Sequence, residues 1–526
     1  MATSSVVASE IVVESIAGLL KTRGAAPAAP GSGHTSARRC TLEAHMARRG
    51  DDAGLERPGH ADGRWARRQA RERPLGTRRQ RGTQLARLSA STGASYVVSR
   101  VRGLGGRETT TESFHAANAA RIAELLGSMK GAAMKVGQIA SFVDLDLPED
   151  VRAIYQDSLS GLRESAPHVD AQRIAEVIAQ DYGAPPEHVF GEWEREPLAS
   201  ASIGQVHRAR LPDGTRVVTK VQHPGVAEAV EADLGNLDSL APLLRAVSPN
   251  LDLDSLLDEL GQRLLDELDY QREAQYQQAF AERYRGHPFI RIPRVYQEWC
   301  RPRVLVVEEM RGASLEEMAA TADEGQRQRY AEILYRFYYG SLHRFRLFNA
   351  DPHPGNYVFP GDGTVAFLDF GSVKVFPSAV AEAINGILDA VIADDREALA
   401  AVLRRADFVP AGYEPDWARL MAWFQHFHAP IAAGGEFTYT PEFATSVLRS
   451  TTDPRCGPLD ILRRMNLPAD YLLLNRIQWG INSILGQLRA RADWQAIFRE
   501  WRHGAEPATE LGRQETAFMA RRAEPA

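Results

Sequence analysis

Asn349-Ala350-Asp351-Pro352-His353-Pro354-Gly355-Asn356 sets a carboxylate and a carboxamide five residues apart, and Asp369-Phe370-Gly371 follows. Phosphoryl transfer needs a carboxylate near the attacking oxygen and hard oxygen ligands for Mg²⁺, and this pair of segments supplies both. Asp351 is expected to position the nucleophile, with Asn356 and Asp369 as the metal ligands. Val365-Ala366-Phe367-Leu368 reads as a short apolar strand that presents Asp369 at its end. The tripeptide alone carries little; the two segments in this order carry the chemistry. His353, between two prolines, reads as a loop-fixing residue and not as an acid or base.

Upstream, Val217-Val218-Thr219-Lys220 is a β run ending in a lysine suited to hold the α- and β-phosphates of a nucleotide. In isolation Lys220 would be an exposed strand lysine; the downstream loop reverses that reading. Its acidic partner is expected on the helix containing Glu267-Leu268-Asp269-Tyr270-Gln271-Arg272-Glu273. Asp269 and Glu273 are four apart and share a face, whereas Glu267 points about 200° from Asp269. A plain solvated face, with Asp269 paired to Arg272, is the competing reading.

The elements that must carry these residues follow from periodicity. His207–Leu211 and Thr215–Val221, joined by Pro212-Asp213-Gly214, read as a hairpin, and a second strand pair is expected at Arg294–Trp299 and Arg303–Met310. Between the pairs runs a helix with Leu253, Leu256, Leu257, Leu260, Leu264 and Leu268 on one stripe. Helical spacing begins near Thr111, and the chain from about Asp394 is helical, with Trp417, Trp423, Trp479, Trp494 and Trp501 read as core. Phe337, Tyr338 and Tyr339 are likewise expected in the core of the large lobe. Strands, a long helix, strands, then helices is the order of a kinase small lobe followed by a large lobe. The expected fold is α+β and bilobed, divided as 1–83 tail, 84–182 helical extension, 183–311 N-lobe and 312–526 C-lobe.

Composition sets the remaining bounds. The chain has 526 residues, with a formal charge of -6 and a 44% hydrophobic fraction, ordinary for a globular protein too long for one core. Nine arginines and one acid lie between Arg64 and Arg87, a local +8 that leaves -14 on the rest. Residues 1–83 read as a disordered tail, and an acidic body disfavours nucleic acid as a partner. Cys40, Cys300 and Cys456 fit neither a metal knuckle nor a disulfide framework, so a reducing compartment is expected. No apolar run reaches the roughly 18 residues of a membrane span, and no signal core is evident. A cytoplasmic location follows, with peripheral contact at the inner membrane as the form of membrane association open to it.

These residues resemble the UbiB atypical kinases, which include the coenzyme-Q-associated and ADCK proteins. Lys135-Val136-Gly137-Gln138 is similar to the family's K-x-G-Q signature, Glu267-Leu268-Asp269 to its E-x-D motif, and Pro197-Leu198-Ala199-Ser200-Ala201-Ser202-Ile203-Gly204 to its alanine-rich replacement for the glycine loop. The resemblance implies ATP and Mg²⁺ as cofactors, a protein-kinase-like fold, and an N-terminal K-x-G-Q helical extension lying over the nucleotide cleft. It implies that Ala199, Ser200, Ala201 and Ser202 line the phosphates, and that Lys135, Gln138, Glu267 and Asp269 belong to the cofactor site. Val307-Glu308-Glu309-Met310 is the expected hinge, with Glu308 and Met310 at the adenine. Lys220 is expected to pair with Glu273, and Lys135 to reach Glu267. Ser200, Val218, Asn349 and Tyr276 depart from the family's usual residues.

The implied function is an ATPase or atypical kinase supporting ubiquinone biosynthesis or lipid homeostasis, with a quinone precursor or lipid, a peripheral membrane surface and biosynthetic-complex proteins as partners. Two alternatives stand beside it: a choline- or aminoglycoside-kinase-like phosphotransferase, against which the K-x-G-Q segment argues, and a nucleotide-binding scaffold without turnover.

Overall fold

A computed structural model of the chain describes residues 169–201, 203–237, 265–452, 456–466 and 469–523. The arginine-rich tail, Lys135 and Gln138, Ser202 and the leucine stripe from Leu253 to Leu264 lie outside them.

Helix α1 (Ala171–Tyr182) starts at Asp170, whose side chain accepts from the backbone N–H of Gln172, and stops at Gly183, where φ is 75°. Its buried face, Ile174, Val177 and Ile178, packs on an antiparallel sheet of β1 (Glu192–Trp193), β2 (Ala199–Ser200), β3 (Gly204–Arg210), β4 (Arg216–Gln222) and, further along the chain, β6 (Val304–Glu308). The β3–β4 hairpin forms as expected, pairing Val206 with Lys220 and Ala209 with Val217. Because strand side chains alternate, Val217, Thr219 and Val221 all go to the buried face, which leaves Lys220 on the other.

That other face meets α2 (Tyr270–Arg283). The single helix expected through Glu267 and Glu273 is interrupted: Asp269 is the N-cap of α2, its side chain accepting from the backbone N–H of Arg272 at 3.0 Å. An Asp side chain short enough to bond its own backbone ends one helix and begins the next. Glu267 therefore sits in the preceding turn, and the two-face geometry drawn for one continuous helix does not apply. Arg272 pairs with Asp266, at 2.6 Å, and not with the Asp269 carboxylate.

After β5 (Ile290–Arg291) comes β6 (Val304–Glu308), which pairs Leu305 with Lys220. The strand expected at Arg294–Trp299 does not form: Val295 makes one isolated bridge to Val307, and Gln297–Trp299 is a 3₁₀ turn. Trp299 packs against Phe190 with the rings tilted, 6.1 Å between centroids, and its carbonyl accepts from Tyr182 Oη, which draws this backbone off the ladder.

The large lobe is built on α3 (Glu324–Phe345), opened by a reciprocal Asp323/Gln326 capping box and closed by Arg346 at φ 57°. β7 (Leu347–Asn349), β8 (Tyr357–Val358), β9 (Val365–Phe367) and β10 (Val373–Val375) follow, then α4 (Ser378–Ala393), α5 (Trp417–Phe427), α6 (Ala469–Gln487), α7 (Trp494–His503) and α8 (Glu510–Ala523). β7 pairs antiparallel with β10, and β9 lies between β5 and β8. Phe337 and Tyr338 are buried as expected, and Tyr339 packs at the margin of that core. Trp423, Trp479 and Trp494 are buried; Trp417 and Trp501, expected inside, are half-buried against the core because each stacks beneath arginines, Arg404 on Trp417 and Arg336 and Arg344 on Trp501. The chain has a mixed helix and sheet, protein-kinase-like fold. Among the described residues no helix is long and apolar enough to cross a membrane.

Candidate functional site

The site forms where one strand of the small lobe faces two loops of the large lobe. From β4, Lys220 Nζ donates to both carboxylate oxygens of Glu273, at 2.7 and 2.9 Å, and reaches Asp369 Oδ2 at 3.4 Å. Glu273 lies in the first turn of α2, so the lysine bridges small-lobe strand, helix and large-lobe loop. Burial opposes the lysine's charge, but the carboxylates of Asp369 and Glu273 overcome it and hold the ammonium well above its usual range. Burial pushes the Glu273 carboxyl up, to about 7, against the pull of Lys220.

Two short ribbons hold the loops. Asp351 follows β7, and Asp369 follows β9, as the apolar run predicted. Asn356 Nδ2 donates to Asp351 Oδ2 at 3.0 Å and to its carbonyl at 3.2 Å, closing the catalytic-type loop on itself. His353 opens the intervening 3₁₀ turn, its Nδ1 accepting from the backbone N–H of Gly355 at 3.0 Å, which is the loop-fixing part read from its flanking prolines. The loops are then laced together: Ala350 N–H donates to the Ser372 carbonyl at 2.7 Å, and Leu368 N–H to the Asn356 carbonyl at 2.8 Å. Phe370 is fully buried, 4.9 Å from Phe280 of α2, so the aromatic residue turns into the core while Asp369 stays on the Lys220 side.

Asn349 is a departure whose structural part the sequence left unread. It is buried; its Nδ2 donates to the Asp369 carbonyl at 2.8 Å and its Oδ1 accepts from the Asp351 N–H at 3.1 Å. Tyr270 was also missed. Its ring lies 5.2 Å from Lys220 Nζ, and its buried hydroxyl stands where a Cβ on Gly204 would come to 2.7 Å. The same Cβ would meet the Val221 carbonyl at 2.5 Å, so glycine is required there by close approach. The legible signal was Gly204 at the end of the alanine-rich run, just before the expected hairpin; nothing in the sequence paired it with Tyr270.

The other expected residues are more dispersed. Ala199 and Ser200 are exposed on β2, paired with Val206 and Gln205, and Ala201 N–H donates to the Gly204 carbonyl at 2.8 Å. Glu308 ends β6, with Arg294 N–H donating to it at 3.2 Å, and Met310 lies two residues on, half-buried. The neighbouring Glu309 is fixed by Arg208 at 3.1 Å and Arg311 at 2.9 Å, giving the expected hinge a rigid side-chain anchor. Asp269 caps α2, and Glu267 is half-buried in the turn before it. The sites expected at Lys135, Gln138 and Ser202 fall outside the described residues.

The Asp369 carboxylate and the amide oxygen of Asn356, whose nitrogen bonds Asp351, are hard oxygens of the kind Mg²⁺ takes. Lys220 has the chemistry to meet a phosphate: it is a half-buried cation held on the Asp369 side of the junction.

A family model described as the ABC1 atypical kinase-like domain matches residues 161–403. Atypical kinase COQ8B, mitochondrial, of Rattus norvegicus is 32% identical over 282 residues, 53% of this chain and 53% of that protein. Probable protein kinase UbiB of Azotobacter vinelandii is 34% identical over 248 residues, 46% of this chain and 45% of that protein. The chain thus spans about half the length of these curated relatives. Among solved structures, the complex of Rv3197 with erythromycin from Mycobacterium tuberculosis aligns with a TM-score of 0.55 and 30% identity, covering 75% of this chain and 97% of that one.

Proposed function

The chain belongs to the UbiB/AarF/ADCK family of atypical kinases, and from that premise we propose that it binds Mg-ATP and turns it over as an atypical kinase or ATPase in support of ubiquinone biosynthesis. The observation that carries this reading is the double engagement of Lys220 by Glu273 and Asp369 across the two lobes. It is the arrangement in which one lysine meets the phosphates while the following loop meets the metal.

In this reading Lys220 binds the α- and β-phosphates, and Glu273 orients it. Asp351 accepts the proton of the attacking hydroxyl or orients the attacking water, and the bond from Asn356 Nδ2 to Asp351 Oδ2 aims that carboxylate. Asn356 Oδ1 and the Asp369 carboxylate would hold the metal, which when bound supplies charge neutralisation at the phosphate oxygens. Catalysis rests on positioning and electrostatics, so the hydrogen bonds lacing the two loops matter as much as the carboxylates. The names of relatives place COQ8B in mitochondria; for this chain a cytoplasmic site with peripheral contact at the inner membrane remains part of the proposal, as do quinone-like or lipid ligands and biosynthetic partner proteins.

The test is steady-state ATP hydrolysis with Mg²⁺ by the full chain and by Asp369→Asn, each with and without anionic liposomes and a phenolic quinone-precursor mimic. Hydrolysis that rises with lipid or phenol and vanishes in the variant supports the proposal. A thermal shift with ATP but no turnover under any condition would replace it with a nucleotide-binding scaffold.

A further inference from the structure

The large lobe contains an aromatic cavity that the nucleotide chemistry leaves unused. It lies among α3, α4, α5 and α6, with Leu388, Phe408, Trp423, Phe427, Tyr439 and Leu474 in its walls. Five His, Asn and Gln side chains interrupt those walls; His343 is held by Asn385 and Asn466 by the Asp407 carbonyl, which leaves His428, Gln478 and Asn482.

Gln478 and Asn482 are four residues apart on α6, so one helix face turns both toward the cavity. They are 9% and 4% exposed and line the cavity, and neither side chain bonds another described residue, so their amide ends open onto the cavity space. The His428 ring stacks on Phe424 and meets Phe427 edge-on at 5.0 Å, and its nitrogens likewise have no hydrogen-bond partner among the described residues. Buried amides and imidazoles are ordinarily satisfied, because stripping water from them without a replacement is unfavourable. These three groups are not sealed off: their polar ends open onto the cavity, where together they can hold the polar head of a ligand.

The lining also says what that is. It contains no Lys, Arg, Asp or Glu. Burial lowers both of its histidines, His343 and His428, to about 4, so they are neutral at pH 7, and His343 is already engaged by Asn385 at 2.7 Å. A charged headgroup would lie here without a counter-charge. Two amides and a neutral imidazole, by contrast, offer both donors and acceptors to an uncharged head.

We propose that this cavity binds an uncharged, chiefly apolar small molecule whose hydroxyl or carbonyl head is held by His428, Gln478 and Asn482. The proposal goes beyond the reading of the nucleotide cleft and does not depend on it, since none of the residues involved belongs to that cleft.

The test is equilibrium binding of 1-decanol, decanoate and decyltrimethylammonium to the full chain below their aggregation limits. Decanol should bind about tenfold or more tightly than either ion of the same tail length. Asn482→Leu and Gln478→Leu should each weaken decanol about fivefold or more while leaving the melting temperature unchanged or raised, because no bond within the protein is lost. Ile387→Phe, which narrows the cavity from α4 and touches neither amide's chemistry, should also abolish decanol binding and carries the test should an amide variant fail to fold. Equal binding of all three probes, no binding of decanol, or wild-type decanol affinity in these variants overturns the proposal. So does a marked loss of stability in Asn482→Leu, which would give that amide a structural partner; cavity water alone would produce no discrimination between the heads.

Discussion

Asn349 and Asp369 are joined by a 2.8 Å bond from side-chain amide to backbone carbonyl, and the same amide's oxygen accepts from the Asp351 N–H. One buried carboxamide therefore fixes the distance between the loop that carries Asp351 and the loop that carries Asp369. Asn349→Ala should cost about 1–3 kcal/mol of stability for the polar groups it strands, and should lower kcat about tenfold or more with a smaller change in KM. Thermal denaturation and steady-state ATP hydrolysis check both; an unchanged kcat would mean that the two loops hold their spacing without it.

Glu273 supplies a pH dependence. Its carboxyl is raised to about 7, first by burial and against the pull of Lys220. As pH falls through that value the carboxylate is protonated and the clamp on Lys220 weakens, so kcat/KM for ATP should fall on the acid side of neutrality. Glu273→Gln should be slow at every pH and should lack that limb. For stability the sign is opposite: a carboxyl raised above its unfolded value of about 4.3 contributes stability that is present below that pH and lost as pH rises through 7.

Gly480 on α6 packs against the catalytic-type loop, where an added Cβ would stand 2.7 Å from Cγ of Pro352. Glycine-to-alanine in a helix ordinarily gains about 1 kcal/mol. Here the gain is offset by the contact, so Gly480→Ala should leave the melting temperature close to wild type while reducing ATP turnover several-fold through displacement of Asp351. Unimpaired turnover would show that Pro352 moves without carrying Asp351 with it.

A buried ion network staples the C-terminal helices to α3. Arg336 bonds Glu332, Glu500 and Glu515, and Arg344 bonds Glu515 at 2.6 Å. Burial opposes the Glu515 charge, but Arg344, His287 and Arg336 outweigh it and hold the carboxyl well below its usual range. Its contribution is thus full above an unfolded carboxylate value of about 4.3 and is lost as pH falls toward the depressed value. Glu515→Gln should cost about 3–5 kcal/mol near neutral pH and should flatten the acid limb of stability. Denaturant melts from pH 3 to 7 test this; a variant with the wild-type acid limb would place the titration elsewhere.

The sequence by itself determined the chemistry-bearing residues that sit beside strands. Alternation in Val217–Val221 put Lys220 on the face opposite the core, and the apolar run Val365–Phe367 delivered Asp369, because strand geometry is local and repeats every two residues. The α+β kinase-like class followed from the order of such elements. The E-x-D segment was less legible: Asp269 has the composition of a helical face, yet its side chain bonds its own backbone and starts a new helix. The Lys220–Glu273 pair was expected from the sequence and forms; only the tertiary structure decided what Asn349 joins, why Gly204 must lack a side chain beside Tyr270, and that Gln478 and Asn482 face a cavity. Each of those is a contact between residues far apart in the chain, set by how helices and sheet pack, and no local periodicity encodes it.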